Sequence, residues 1–413
     1  MMRPHFLKLI VLLILLIPGV AAAQNAWTIF TSANSPLPDN TIRCIGIDPS
    51  GRKWIGTDNG LAVYDDVNWT VYQTSNSGIP SNSIRSIGFD QQGNAWIGTF
   101  DDGLVYFDGT AWTVYNTFNS GLPDNFIKCL TVDTAGTVWA GTLAGLVHYD
   151  GGVWDVYDIS NSVIGSNNIG SVHIDQNTGF LSVGTVNGGL AVYDTSGWSA
   201  FNIWNSTLPD NTILGLDRDS SGTLWMATPA AGLSAYVGSS LFLTLNSASS
   251  SIPSNSLTCL ENTSGDRFWI GSVDSGLIRK DGMNFSYYTS GNSDLPDNHI
   301  YSVAVEASGI VWAGTQQGGL ARLDETLLTG LTTVTAIADA GVYPVPAQAE
   351  IRVKNITAFD YAEVIGMNGQ TAAVLEPVNN GRLNIELLEQ GVYFLRLIEK
   401  GQAIASGRFV VIR

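Results

Sequence analysis

The 413-residue sequence predicts an all-β chain: a seven-bladed β-propeller closed by its N-terminal strand, followed by a small Ig-like β-sandwich. A unit of about 43 residues recurs seven times, and its short apolar strands alternate with Gly, Asn and Asp turns. Repeats of this length and composition are typical of propeller blades. The repeat then stops and the composition changes. The predicted boundaries are 24–325 for the propeller, 326–341 for a linker and 342–413 for the sandwich.

The most regular part of each repeat is a Trp-x-Gly-Thr run followed by Gly-Leu. In the fourth repeat a serine replaces the tryptophan. The runs begin at Trp54, Trp96, Trp139, Ser182, Trp225, Trp269 and Trp312. Each unit is predicted to form four strands, represented in the first repeat by Ile42–Ile47, the Trp54 strand, Gly60–Tyr64 and Trp69–Tyr72. The inner strands are nearly continuously apolar, as expected where neighbouring blades cover both faces.

The aromatic fourth strand is displaced relative to the other three. Its first copy, Trp27–Phe30, precedes the first repeat, and no copy follows Leu323. We therefore predict that the N-terminal strand completes the last blade. Closing the ring in this way leaves few sheet edges open to aggregation.

The spacing of eight residues in the first repeat resembles the two-component regulator propeller repeat. These residues are Asn40, Ile42, Asp48, Gly51, Trp54, Gly56, Gly60 and Leu61. The resemblance covers about residues 27–325 and recurs at fixed spacing. In that family such propellers form periplasmic sensor regions of hybrid histidine kinases, often for oligosaccharides. Because this sequence shows no second hydrophobic span, kinase or response-regulator segment, we expect only the fold and a recognition role to carry over.

Residues 1–23 have the pattern of a secretory signal peptide, with a basic start, the apolar run Leu9–Leu16 and a small-residue end at Ala21–Ala23. The apolar run is too short for a stable transmembrane anchor. We therefore expect the chain to leave the cytoplasm.

The segment 342–413 resembles the C-terminal sorting domain of type IX secretion cargo. The resemblance rests on Val342–Pro346, Val364–Gln370, Gly391–Leu397 and the terminal Arg408–Arg413. Val345 departs from the family, which usually has Asn between the two prolines. The resemblance implies interaction with the type IX secretion machinery and a secreted or outer-membrane surface location. The tail would then be removed, and exchange for a lipid anchor stays open.

Charge excludes one class of partner. The whole chain has a formal net charge of −17, and residues 24–341 contain 29 acidic against 10 basic side chains. Such a surface repels phosphate backbones, so we expect no nucleic-acid ligand. Acidity suits solubility outside the cell and leaves cation binding as an alternative.

No cofactor or metal is expected. Cys44, Cys129 and Cys259 occupy one repeat position in non-adjacent blades, which predicts free, packed thiols rather than disulfides. The Asp-x-x-Gly turns at Asp90 and Asp133 predict tight hairpins, with calcium binding as the alternative. The tryptophans, and an asparagine that precedes every first strand, occur in nearly all blades. We therefore interpret both as structural.

Positions that differ between blades are better candidates for ligand contacts, because a single ligand meets an asymmetric surface. One of them, near the channel mouth, holds Arg43, Arg85, Lys128, Gly170, Leu214, Thr258 and Tyr301. On the same face the turns after the second strands, and the residue next to Asn298, add Phe100, Asp101, Asp102, Asn187, Gln316 and His299. Such groups suit an acidic or neutral glycan, or a peptide. Alternatively, the cations simply pair with Asp58, Asp101 and Asp102.

The sequence favours a non-catalytic role, although His299, on the candidate face, could transfer a proton near neutral pH. His148 and His173 align with ordinary strand positions, and His299 lacks a second histidine at the equivalent place in another blade. No Ser/His/Asp order or paired-carboxylate motif stands out. We therefore expect a non-catalytic propeller that binds a polysaccharide or a cell-surface protein. Two alternatives remain: a glycan lyase or hydrolase with His299 as base, and a self-associating adhesin or matrix protein.

Overall fold

The computed structural model describes residues 26–238, 240–328, 338–343, 345, 347–354, 359–366, 371–377, 381–399 and 402–412. The predicted signal peptide, residues 1–23, lies outside the described residues. The described chain is nearly all-β, as predicted.

Seven four-stranded antiparallel sheets form the propeller within the described residues. The strands of the first half are β1 (Trp27–Phe30), β2 (Ile42–Ile47), β3 (Lys53–Thr57), β4 (Gly60–Tyr64), β5 (Trp69–Tyr72), β6 (Ile84–Phe89), β7 (Ala95–Thr99), β8 (Leu104–Phe107), β9 (Trp112–Tyr115), β10 (Cys129–Val132), β11 (Val138–Gly141), β12 (Leu146–Asp150), β13 (Val153–Tyr157) and β14 (Ile169–Ile174). Those of the second half are β15 (Leu181–Thr185), β16 (Leu190–Asp194), β17 (Gly197–Phe201), β18 (Gly215–Arg218), β19 (Leu224–Thr228), β20 (Gly232–Gly238), β21 (Leu241–Leu245), β22 (Leu257–Ser264), β23 (Arg267–Ser272), β24 (Leu277–Asp281), β25 (Asn284–Tyr288), β26 (Ile300–Val305), β27 (Val311–Thr315) and β28 (Leu320–Leu323).

The sheets are arranged in a ring. The first strand of each sheet contacts the first strand of the next, in a circuit that runs β2, β6, β10, β14, β18, β22, β26 and back to β2. We number the blades one to seven by these strands. The first strands therefore surround the central channel.

The N-terminal strand closes this ring. β1 pairs antiparallel with β28, with Trp27 opposite Leu323 and Phe30 opposite Leu320. Trp27 is 6% exposed and meets Tyr288 of the sixth blade edge-on, with the ring centroids 5.6 Å apart. The displaced aromatic strand thus completes the seventh blade, as the sequence predicts.

The repeat motif is explained by packing between blades. Trp54 is buried, meets Phe89 of the next blade edge-on at 5.6 Å, and donates from Nε1 to Asp48 Oδ2 at 3.0 Å. Gly56 has no room for a side chain, since a Cβ there would lie 2.7 Å from Ile84 Cγ2. Thr57 is buried and its hydroxyl donates to the Gly60 carbonyl at 2.7 Å, closing the next turn. The tryptophan is therefore structural, as expected.

The Asp-x-x-Gly segments form tight hairpins on one face of the ring. Gly51, at φ 82°, donates its N–H to the Asp48 carbonyl at 2.8 Å. The Asp48 side chain accepts from the backbone of Ser50 and Arg52, at 2.9 and 3.0 Å. Among the described residues, no three His, Cys, Asp or Glu side chains converge so as to hold a metal ion.

The recurring asparagine clamps the loop before each first strand. Its Oδ1 accepts from the backbone N–H eight residues earlier, at 2.8 or 2.9 Å in every blade. The seven clamps are Asn40, Asn82, Asn125, Asn167, Asn211, Asn255 and Asn298. The structural interpretation of this residue is confirmed.

A single-turn 3₁₀ helix, Glu325–Leu327, follows the propeller. The C-terminal strands are β29 (Ala338–Asp339), β30 (Glu350–Arg352), β31 (Tyr361–Gly366), β32 (Thr371–Leu375), β33 (Arg382–Asn384), β34 (Gly391–Glu399) and β35 (Gln402–Val411). They form a five-stranded sheet in the order β29-β35-β34-β31-β32 and a two-stranded sheet, β30-β33. Buried side chains of both sheets, including Ile351, Leu383 and Leu395, share one core. β29 lies inside the predicted linker, where it pairs parallel with β35.

The C-terminal domain contacts the hairpin face of blades five and six. Ile365 packs in the same core as Met283, which lies in the turn between β24 and β25. Arg408 Nη1 donates to Thr223 Oγ1 at 3.2 Å, in the turn between β18 and β19. The opposite face, which bears the predicted ligand contacts, is turned away from these contacts.

Candidate functional site

A β-bulge sets the variable position at the channel mouth. In five blades the pairing of the first and second strands skips one residue just after the apolar anchor. The skipped residues are Arg43, Arg85, Gly170, Thr258 and Tyr301. Lys128 and Leu214 stand immediately before β10 and β18. Bulges redirect side chains and are frequent beside binding sites. The repeat in the sequence is enough to locate this variable position, but it does not reveal that the position is a bulge.

The anchor before each bulge holds this position in place. Ile42, Ile84 and Ile127 are fully buried, as are their counterparts in the other blades. Ile127 N–H donates to the Thr99 carbonyl of the preceding blade at 2.9 Å. The variable side chains therefore project from rigid strand ends.

Asp58 joins the arginines of the first two blades. Arg43 binds it with two hydrogen bonds, Nε to Oδ1 at 3.0 Å and Nη2 to Oδ2 at 2.6 Å. Arg85 Nη1 donates to Oδ1 at 2.8 Å. Burial favours the neutral acid, yet the hydrogen bonds and charges of the two arginines outweigh it and hold the pKa of Asp58 below its usual value. The hydrogen bond from Arg43 to Asp58 is in turn the main reason why the pKa of Arg43 is raised.

An aromatic ring accompanies each arginine. The Arg43 guanidinium carbon lies 4.5 Å from the Tyr301 ring centroid, and that of Arg85 lies 4.7 Å from the centroid of Phe100. Both distances are within the range of cation–π attraction. We call Tyr301, Arg43, Asp58, Arg85 and Phe100 the cation–aromatic row. The row crosses blades seven, one and two without a break.

Each end of the row is extended by a neighbour. At one end Gln316 Nε2 donates to the Tyr301 hydroxyl at 3.2 Å, and the His299 ring lies 4.5 Å from that of Tyr301. At the other end Phe100, which is 47% exposed, meets Phe126 of the third blade at 4.8 Å. Sequence reasoning missed Phe126, although it follows the clamping Asn125 directly.

Lys128 holds the same repeat position as Arg85 on the next blade, immediately before β10. Its side chain is half-buried, and its Nζ lies 3.4 Å from Asn168 Oδ1. Burial lowers the pKa of Lys128 below its ordinary value. Within the described chain no carboxylate forms an ion pair with Lys128.

Asp101, Asp102 and Asn187 lie outside the cation–aromatic row. Asp101 accepts from the Ser81 hydroxyl at 2.6 Å, and the pKa of Asp102 is raised by burial and then by the charge of Asp101. Asn187, at φ 67°, is bonded to Thr212 of the fifth blade. In the described residues neither Asp101 nor Asp102 pairs with a cation. The expected alternative pairing is thus found with Asp58 alone.

The three cysteines are free. Burial raises the pKa of Cys44 and Cys129 to about 12 and that of Cys259 to about 11. The thiols therefore stay protonated at neutral pH, as packed side chains.

A second ionisable cluster lines the channel nearer the hairpin face. His173, Asp217 and Glu261 occupy one register position on β14, β18 and β22, where the other blades have Gly46, Gly88, Thr131 and Ala304. His173 Nδ1 lies 3.6 Å from Asp217 Oδ1. Burial, and then the charge of Asp217, raise the pKa of Glu261 to about 8. The sequence predicts His173 to be an ordinary strand residue and does not reveal this cluster, which forms only across neighbouring blades.

Two known families match this chain, one within the propeller and the other over the C-terminal domain. Residues 78–101 and 121–144 match the two component regulator propeller, and residues 341–412 match the secretion system C-terminal sorting domain. The sorting-domain match implies export, to the cell surface or by secretion, and interaction with the secretion machinery. No curated protein matches the chain. Among the described residues, no helix has the length and apolar character needed to span a bilayer.

Solved structures with the same fold include two longer bacterial proteins. The extracellular domain of BT3049 from B. thetaiotaomicron, described as a hybrid two component system, is 18% identical with a TM-score of 0.64, over 94% of this chain and 57% of that one. PorZ, a surface component of the type-IX secretion system of Porphyromonas gingivalis, is 17% identical with a TM-score of 0.56, over 91% and 60%. The chain therefore spans less than two thirds of either protein's length.

Virginiamycin B lyase from Staphylococcus aureus is also similar in structure. It is 13% identical with a TM-score of 0.59, over 72% of this chain and 98% of that one. At such identities the three similarities establish a shared propeller fold and nothing about ligand or activity.

Proposed function

We propose that this chain is an exported recognition protein that binds an extracellular polysaccharide or cell-surface protein, without catalysis, at the channel mouth. The observation that carries the proposal is the cation–aromatic row. It places two guanidinium groups, two aromatic rings and one carboxylate side by side on rigid strand ends. Aromatic faces and fixed hydrogen-bonding groups around a concavity are the usual composition of a specific binding site.

The sorting domain supports the extracellular part of this proposal. It contacts the hairpin face through Ile365 and Arg408, while the row lies on the other face. A ligand at the row would therefore not compete with the docked tail. We prefer a polysaccharide to a protein, because half-exposed rings such as Phe100 offer apolar faces for sugar stacking.

The test is a binding screen of the full mature chain against diverse polysaccharides by affinity electrophoresis. The double variant Phe100→Ala/Tyr301→Ala is compared with Trp204→Ala, which removes a 79% exposed aromatic outside the row. We expect the double variant to lose binding by roughly tenfold or more, or ~1.4 kcal/mol, and Trp204→Ala to bind as wild type. Equal binding by all three proteins would remove the row from the site.

The same screen separates the alternatives. Appearance of new reducing or unsaturated ends that His299→Ala abolishes would favour the lyase or hydrolase. Concentration-dependent growth of the particle mass without added ligand would favour the self-associating adhesin. Binding to a surface protein but to no glycan would keep the recognition role and change its ligand.

A further inference from the structure

We propose that the ligand carries an anionic group, a uronate carboxylate or a sulfate ester, and that Arg85 and Lys128 receive it at the Phe100 end of the cation–aromatic row. The inference rests on the proposed function and deepens it, since it commits to an acidic polysaccharide. Three features of the mouth support it: the concentration of cations there, the lack of an ionic partner for Lys128 and the free hydrogen-bonding edge of Arg85.

The cations of the propeller are concentrated at the mouth. Three of the ten basic residues in 24–341 stand at a single repeat position, on three consecutive blades. Asp58 neutralises one charge of the pair Arg43 and Arg85. Asp101 and Asp102 stand beside Phe100 on the same face and offset two more, so this part of the mouth is near neutral in a region with 29 acidic side chains. An anion therefore meets less repulsion here than over the rest of the propeller.

Lys128 is partly desolvated without an ionic partner. Its neighbour is the Asn168 amide oxygen at 3.4 Å, a long hydrogen bond to a neutral acceptor. Removing a cation from water is unfavourable unless an anion or good acceptors compensate. Lys128 therefore contributes little to the stability of the folded protein. A bound anion would supply the missing partner.

Arg85 presents a free hydrogen-bonding edge. Among the described residues, its hydrogen bond is the one from Nη1 to Asp58, while Phe100 lies against the guanidinium. Nε and Nη2, which form the edge of the fork, are left for a ligand. The fork of a guanidinium matches the two oxygens of a carboxylate or sulfate. Arg43 differs, because Asp58 already occupies its Nε and Nη2.

The exposed aromatics favour a sugar over a peptide as the carrier of the charge. Phe100 is 47% exposed and packs against Phe126 at 4.8 Å, so an apolar surface adjoins the Arg85 guanidinium. A pyranose ring can lie on that surface while its acidic substituent reaches Arg85 and Lys128.

The experiment uses two matched pairs of polymers with the full mature chain: polygalacturonate with its methyl ester, and dextran sulfate with dextran. Within each pair the sugar backbone is the same and only one member carries the free acidic group, so the pairs separate a carboxylate from a sulfate as the group that is bound. The variants are Lys128→Gln and Arg85→Lys, which keeps the charge but removes the fork. The control is Arg52→Gln on the hairpin face, a 45% exposed side chain with the same change of charge as Lys128→Gln.

We expect at least one charged polymer to bind roughly tenfold more tightly than its neutral partner, and added salt to weaken that binding. Lys128→Gln should reduce the affinity by roughly tenfold or more, and Arg52→Gln by less than about twofold. Arg85→Lys should reduce the affinity by an amount between these two, because lysine keeps the charge but lacks the fork. Melting curves show whether each variant is folded, and Lys128→Arg should restore binding.

Equal binding of charged and neutral polymers, or unchanged binding by Lys128→Gln, overturns the inference. If a neutral glycan binds and Phe100→Ala/Tyr301→Ala abolishes it, the proposed function stands and only the acidic ligand is wrong. If a charged polymer binds but Arg52→Gln weakens it as much as Lys128→Gln, the attraction is general and no specific anion site exists. Failure of both charged polymers to bind also overturns the inference.

Discussion

Asp58 of the first blade accepts a 2.8 Å hydrogen bond from Arg85 of the second blade. The same carboxylate holds Arg43 through two further bonds. A single acidic side chain therefore fixes two cations that the sequence places 42 residues apart. This contact across blades orders the cation–aromatic row, and it makes Asp58 the first target for mutation.

Asp58→Asn should free both arginines and destabilise the propeller modestly. All three side chains are partly exposed, so we expect a loss of about 1 kcal/mol in the free energy of unfolding. Because the pKa of Asp58 is lowered in the folded state, this contribution is present above its ordinary value of 3.8 and is lost as the pH falls through the folded value. Urea titrations at pH 7 and pH 3 measure it. Asp150→Asn, an exposed carboxylate of β12, is the control, and equal losses in both would contradict the prediction.

Removing the Trp27 side chain should weaken ring closure. Trp27 is buried and lies edge-on to Tyr288 of the neighbouring blade. We expect Trp27→Ala to reduce the free energy of unfolding by about 3–5 kcal/mol, because a large cavity opens at the seam. Thr28→Ala, an exposed neighbour on the same strand, should change it by less than about 0.5 kcal/mol. A loss no larger than that of Thr28→Ala would mean that the seam contributes little to stability.

The thiols should resist modification in the folded protein. Cys44 and Cys129, with the pKa of each raised to about 12 by burial, carry almost no thiolate at pH 8, and Cys259 behaves similarly with a pKa of about 11. Incubation with iodoacetamide followed by mass measurement should show no adduct natively and three in urea. Prompt native labelling of any cysteine would show that the blade opens around it.

Glu261→Gln should stabilise the protein at alkaline pH. The pKa of Glu261 is raised from 4.5 to about 8 in the folded state, mainly by burial. The group therefore favours folding fully below pH 4.5, and this contribution is lost as the pH rises toward 8. The variant should match wild type at pH 4 and gain free energy of unfolding, on the order of 1 kcal/mol or more, at pH 8.5. Glu389→Gln, exposed in the C-terminal domain, should change stability at neither pH, and a flat difference for Glu261→Gln would refute the shift.

The architecture was predictable because it depends on the spacing of residues within each repeat. The tryptophan run and the clamping asparagine recur at a fixed period, so the strands and turns of every blade could be located. The displaced Trp27 strand also predicted closure of the ring, because the last repeat lacks a fourth strand of its own. The sorting segment was recognised in the same way, from Gly391–Leu397 and the terminal strand. Its description as Ig-like remains a prediction.

The candidate site was predictable only in part. Comparing equivalent positions selected Arg43, Arg85 and Lys128, because a ligand contact should differ between blades. The same comparison could not show whether Asp58, Asp101 or Asp102 forms the ion pairs with the arginines. The pairing depends on the direction in which the bulge points each side chain, and the repeat period carries no information about that direction.

The sequence by itself determined the number of repeats, the seam and the exported character of the chain, because each depends on patterns within a few tens of residues. Only the tertiary structure decided which side chains meet across blades. Asp58 bridges two blades, Phe126 meets Phe100, and His173, Asp217 and Glu261 face one another around the channel. These contacts join residues about 26 to 44 positions apart, and ring curvature and the register of the bulges bring them together.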